Sequence, residues 1–235
     1  WGNFIVMKFD SSLNPNEMAV YIVNLFTKYF PDKKKFPLNK KKLKQVIDLA
    51  FERQEFCYSN IHDKYFNEKG KVFFNHLNSD HFCTFLYFIG NSAFKLNADK
   101  TFLDKIFYLN KILNSVDIFY SVELPSIFAL AHPVGTVLGN ASYQDYLYVY
   151  QNVVVGGIFK NGINTYPKLG KGNILYSHVS LIGNTNVGDN VIFGSNTFVQ
   201  NKNIKSNSIV HGHYPNNQIK NLKDKVIDRY FKIYK

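Results

Sequence analysis

Apolar residues that recur at every sixth position constrain this chain more than any other feature. Ala131, Val137, Tyr143, Val149 and Val155 form one series; Leu169, Leu175, Leu181, Val187, Phe193 and Val199 form a second. A six-residue period means one short strand and one turn per repeat. Three repeats close a triangular coil, and stacked coils share one apolar axis. Gly and Asn in LGKGNI, IGNTNVGDN and FGSNT supply the tight, sometimes left-handed backbone that corners require,. A β-sandwich would need longer strands and would tolerate looser spacing. The two series are out of phase by two residues, which predicts an insertion across Gly157 to Tyr166, leaving the coil as a loop.

The residues up to about 115 follow another rule. They contain only Gly2, Gly70 and Gly90, and their apolar positions fall at helical spacing,. The spacing predicts helices over 16–30, 41–56, 81–96 and 100–113, with Ser79 or Asp80 as an N-cap of the third. The expected organisation is a helical domain over 1–115, a coil over 116–212 and a helical tail over 213–235, an α+β class.

The net charge of +11 raises nucleic acid or an anionic surface as partners,. Seven lysines lie in the single run DKKKFPLNKKKLK, which reads as a solvated face, and no zinc-finger or ribonucleoprotein spacing accompanies it,. No nucleic-acid partner is expected; a positive field also suits an anionic cosubstrate. Cys57 and Cys83 are too few for a disulfide framework and read as buried thiols of a reducing compartment,. No stretch reads as a transmembrane segment or a signal peptide, so a cytoplasmic protein is expected.

Five segments occur in order: VDIFYSVELPSIFALAH, HPVGTVLGNA, VYQNVVVGG, TYPKLGKG and LIGNTNVGDNVIFGSNTFV. Together they resemble the serine O-acetyltransferases, left-handed parallel β-helix enzymes of hexapeptide repeats with a helical domain in front. The resemblance covers about residues 80 to 205. It implies acetyl-CoA as cosubstrate, bound in a groove between subunits of a homotrimer or dimer of trimers, with Gly157, Ser177, Gly183 and Ser195 at the cofactor positions. It implies His132 as catalytic base and Asp117 as the carboxylate that orients it. Their fifteen-residue separation approaches one eighteen-residue coil, so stacking would bring them near each other. The chemistry is coherent: acyl transfer to an alcohol needs its proton removed, an imidazole does this near neutral pH, and a carboxylate fixes the tautomer.

Three departures bear on the acceptor. Ala131 replaces the acid before the catalytic His, and Thr165-Tyr166 replace an Arg-His pair. In the family these positions hold the ammonium and carboxylate of serine; Asp80 is the candidate for a further acid from the helical domain. Without them a pocket should bind free serine poorly. A hydroxyl of a saccharide or nucleotide-sugar, in capsule or lipopolysaccharide biosynthesis, is the expected acceptor, with Tyr143 and Tyr166 as stacking faces. Serine acetylation and a non-catalytic scaffold are the alternatives. His178, His211 and His213 lack the carboxylates of a metal site, so no metal is expected. His62, His76 and His81 read as surface or capping residues.

Overall fold

The computed structural model describes residues 9–32, 34–62, 65–68, 71–225 and 227–232. Its N-terminal half is built from α1 (Pro15–Tyr29), α2 (Lys40–Ser59), α3 (Ser79–Lys95) and α4 (Lys100–Asn114). Asn14, Asn39, Asn78 and Asp99 begin these helices, each side chain accepting from first-turn amides that have no helical partner,. The cap of α3 is therefore Asn78, one residue before the expected pair. Helix α3 is buried continuously from His81 to Ala93, as a helix at the centre of a core must be,. Phe85 interlocks there with Phe51 and Phe74 at centroid distances of 4.9 and 4.8 Å. A small sheet of Asp10–Ser11, Lys71–Phe74 and Asn67–Glu68 lies beside the helices.

From Asp117 the chain winds into a parallel β-solenoid with three faces. The first face stacks Asp117–Ile118, Val137–Leu138, Val154–Gly156, Ser180–Ile182 and Phe198–Gln200. The second stacks Lys168–Leu169, Asn186–Val187 and Asn203–Ile204, with Ser142 bridged to Lys168 beneath them. The third stacks Phe128–Leu130, Leu147–Val149, Ile174–Leu175, Val191–Phe193 and Ser208–His211. Register partners Ser180 and Phe198 are one eighteen-residue turn apart. Leu169, Leu175, Leu181, Val187, Phe193 and Val199 all point into the axis and are buried. Each strand of the third face from Leu147 onward follows a left-handed corner residue: Tyr146, Gly172, Asn190 or Asn207.

The expected phase slips at the start of the coil. There the axis runs through Leu130 and Leu138, which pair with Val149 and Val155, and not through Ala131 and Val137. Leu130 and Leu138 are eight residues apart, where Val149 and Val155 are six. The two extra residues widen the corner that carries His132 and Pro133.

The expected insertion does leave the coil. Val154 and its partner Ser180 are twenty-six residues apart, eight more than one turn. Those residues form an antiparallel hairpin, Ile158–Lys160 with Ile163–Thr165. It is more ordered than a loop because Asn161-Gly162 supply the two positive φ angles, 52° and 78°, that a tight hairpin turn needs,. The expected C-terminal helix is present as Ile227–Tyr230 (α5), short among the described residues, while Gln218–Asn221 pairs antiparallel with Ser208–His211 and covers the open edge of the third face,. Among the described residues no helix is long and apolar enough to cross a membrane.

Candidate active site

His132 stands on the widened corner in the left-handed region, at φ 51°, with its ring 77% exposed. Its backbone N–H donates to Oδ2 of Asp80 at 2.9 Å, and its Nδ1 lies 3.6 Å from the same oxygen. Asp80 comes from the first turn of α3, where the Asn78 side chain accepts from its N–H at 3.0 Å. The helical half thus reaches across 52 residues of sequence to hold the corner histidine.

The expected partner of His132 was Asp117, and the structure does not bring the two into contact. Asp117 aligns with Val137 on the first face, while His132 sits five residues earlier on the swung-out corner. The Asp117 carboxylate instead accepts from Lys111 Nζ at 2.7 Å.

Both residues of the His132–Asp80 pair line a cavity of about 500 Å³, together with Tyr65, Phe66, Asn75, Leu77, Asn78, Ser79, His81, Ala131, Tyr148 and Tyr150. Asp80 is the one carboxylate among these residues, and none of them is Lys or Arg. His81 is buried beneath, contrary to the surface or capping role expected of it. Its Nδ1 accepts from the Asn75 N–H at 3.2 Å, so Nε2 carries the proton and donates to the Tyr65 carbonyl at 2.9 Å,. Burial depresses its pKa to about 4, so the ring stays neutral and carries no charge into the cavity,.

The remaining expected site residues are scattered. Ala131 lines the cavity and donates its N–H to Val149. Tyr143 does not line it: the side chain is buried elsewhere in the coil, its hydroxyl donates to the Gly139 carbonyl at 2.9 Å, and burial pushes its pKa up. Thr165 and Tyr166 sit at the base of the hairpin, outside this cavity. Ser177 and Ser195 meet at one edge of the first face, with hydroxyls 3.2 Å apart on successive turns. Gly183 follows the strand Ser180–Ile182 at the opposite edge of that face. The Tyr166 ring occupies the space over Gly157: a Cβ there would lie 2.5 Å from Cε1 and 3.0 Å from the Thr165 carbonyl oxygen. Packing alone therefore requires glycine at 157. His213 Nε2 lies 2.7 Å from the Asn196 carbonyl oxygen and His178 Nε2 lies 3.5 Å from Asn152 Nδ2, so both serve the coil. No group of metal-binding side chains occurs among the described residues.

Sequence reasoning missed Tyr148 and Tyr150. The signal was available: they flank the axis residue Val149 in LYVY, so both face away from the axis,.

No family model matches the chain. It is 29% identical over 93 residues to the serine acetyltransferase of Synechococcus elongatus, a stretch covering 39% of this chain and 38% of that relative. Solved structures match over nearly the whole length. The serine acetyltransferase of Brucella abortus in complex with coenzyme A aligns with a TM-score of 0.65 at 17% identity, covering 91% of this chain and 84% of that one. The serine acetyltransferase of Vibrio cholerae aligns with a TM-score of 0.63 at 16% identity, covering 90% and 91%. Helices followed by a parallel coil of hexapeptide turns, with a short closing helix, make this a serine acetyltransferase-like β-helix fold.

Proposed function

We propose that this chain is an acetyl-CoA-dependent acyltransferase that acts on a hydroxyl of an uncharged saccharide, with His132 as general base. The observation that carries this reading is the cavity beside His132. It offers aromatic walls and one carboxylate, and no cation among its described lining residues. The exposed Tyr65 and the half-buried Tyr150 present faces on which a sugar ring can stack, backed by the buried Phe66 and Tyr148,. An acceptor bearing a carboxylate or phosphate would find no cation to pair with among these residues,. That consideration ranks a free saccharide above a nucleotide-sugar.

The thioester supplies the acyl group and a thiol leaving group. The chain supplies the proton transfers. Asp80 beside Nδ1 leaves Nε2 to take the acceptor's hydroxyl proton as the new ester bond forms, and the imidazolium returns that proton to the departing sulfur,. Asp80 is the carboxylate that stabilises the imidazolium; Asp117 is the competing candidate. The Ser177–Ser195 hydroxyl pair is a donor set suited to the amides of a pantetheine arm, with Gly183 across the first face. The relatives named above include one solved with coenzyme A, which supports this cosubstrate. We assign the protein to surface-polysaccharide biosynthesis in the cytoplasm, acting as a trimer or dimer of trimers.

Serine acetylation is the second reading, favoured by the names of the relatives and by Asp80, which could take an ammonium group. Its weakness is the serine carboxylate, for which the cavity's described residues offer no Lys or Arg. Thiol release from acetyl-CoA across a panel of neutral sugars, nucleotide-sugars and serine separates the readings. Turnover with a neutral sugar supports the first, and turnover with serine alone overturns it.

A further inference from the structure

The C-terminal segment is tied to the coil wall of the cavity and to the chain just after α2 at once. On the coil side, the Tyr230 ring packs 4.5 Å from Tyr148, and its hydroxyl lies 2.8 Å from that of Tyr176. Phe231 is buried, with its ring 5.5 Å from Tyr146 and 6.1 Å from Tyr148. Ile227 fills the space over Gly172, where any side chain would collide with it. On the helical side, the His62 N–H donates to the Tyr230 carbonyl and the Lys232 N–H donates to the Asn60 carbonyl, each at 2.8 Å. Ile61 and Phe231 form an antiparallel bridge between these bonds. Tyr65 and Phe66 of the cavity follow this stretch closely in the sequence. One six-residue strap therefore packs against Tyr148 on the coil wall and clamps the end of α2 to the coil, a few residues in sequence before Tyr65 on the other wall.

We propose that Ile227–Lys232 is a specificity element: it sets the width of the acceptor cavity and so determines which acceptors fit, without taking part in the chemistry. The inference rests on the reading of this cavity as the acceptor site. His132 and Asp80 are joined by their own hydrogen bond and do not depend on the strap. Loosening the strap should therefore weaken acceptor binding and leave the reaction of a bound acceptor largely intact.

The test uses the full chain and whichever acceptor the unaltered protein acetylates. Tyr230→Ala removes the ring under Tyr148, and Tyr230→Phe removes only the hydroxyl contact with Tyr176. The expected result for Tyr230→Ala is an acceptor KM raised about tenfold, with kcat within about threefold and the acetyl-CoA KM unchanged. Tyr230→Phe should show a smaller shift of the same kind, and it guards against a folding defect in the alanine variant. Hydrogen exchange at the His62 amide, which reads the clamp directly, should quicken in Tyr230→Ala. Faster exchange with both KM values unchanged would overturn the proposal, as would an equal rise in both KM values. If the acceptor proves to be an amino acid, the saccharide reading falls, while the split between the two KM values still decides the role of the strap.

Discussion

Replacing Asp80 by Asn tests which carboxylate serves His132. The substitution keeps an oxygen able to accept the His132 N–H, so the corner should hold its shape, and only the negative charge is lost. That charge stands 3.6 Å from Nδ1. At this distance it stabilises an imidazolium by about 5 kcal/mol at an effective dielectric of 20, and by about 1 kcal/mol in water. The ring is 77% exposed, which places the site near the watery limit. An effect of about 1.5 kcal/mol, roughly tenfold in turnover, is therefore expected. Asp117→Asn should change turnover less than about threefold, because it breaks an exposed pair with Lys111 of the kind worth at most about 1 kcal/mol,. Steady-state kcat from thiol release at saturating substrates measures both. A large loss in Asp117→Asn with a neutral Asp80→Asn would refute the assignment of Asp80 and restore the pairing expected from sequence spacing.

Other outcomes follow from the same geometry. The His81 pKa lies near 4 in the folded chain and near 6.5 when unfolded, so the unfolded state binds the extra proton first,. Stability is full above about pH 6.5 and falls by about 3 kcal/mol by pH 4. Urea titrations against pH should show this slope, and His81→Gln should flatten it. Leu181→Ala, at the axis between Val155 and Val199, should cost about 3 to 5 kcal/mol of unfolding free energy by the same method,. Gly157→Ala should destabilise the hairpin by collision with Tyr166, and Tyr166→Ala should relieve most of the effect in a thermal melt of the double variant,. Burial raises the Cys57 thiol to about 12 and the Cys83 thiol further. Neither should react with a disulfide reagent before unfolding, so thiol release can be followed without interference from the protein.

The axis of the coil was legible because burial forces an aliphatic residue onto every sixth position, and from Leu169 to Val199 no neighbouring phase fits as well. The first turn was not legible. Leu130 and Ala131 are both apolar, as are Val137 and Leu138, so the pattern fits two phases and conceals the two-residue widening at His132. That widening separates His132 from Asp117 and turns it toward α3. The contact with Asp80 could not be read from spacing, because it joins two halves of the molecule through tertiary packing. Tyr143 keeps the hexad spacing because it is part of the packed coil, and it does not line the cavity beside His132. The expected helix of the tail is present at Ile227–Tyr230 but does not extend over the whole tail. The open edge of the last coil turn imposed a strand on Gln218–Asn221 instead,.

The most direct test of the central claim compares the unaltered protein with His132→Ala for acetyl-CoA-dependent acylation of neutral saccharides and of serine, with product identified by mass. The expected result is ester formation on a neutral saccharide that falls by about a hundredfold or more in His132→Ala, with little turnover of serine. Undiminished activity in His132→Ala would contradict the mechanism, and efficient acetylation of serine alone would contradict the account of the cavity.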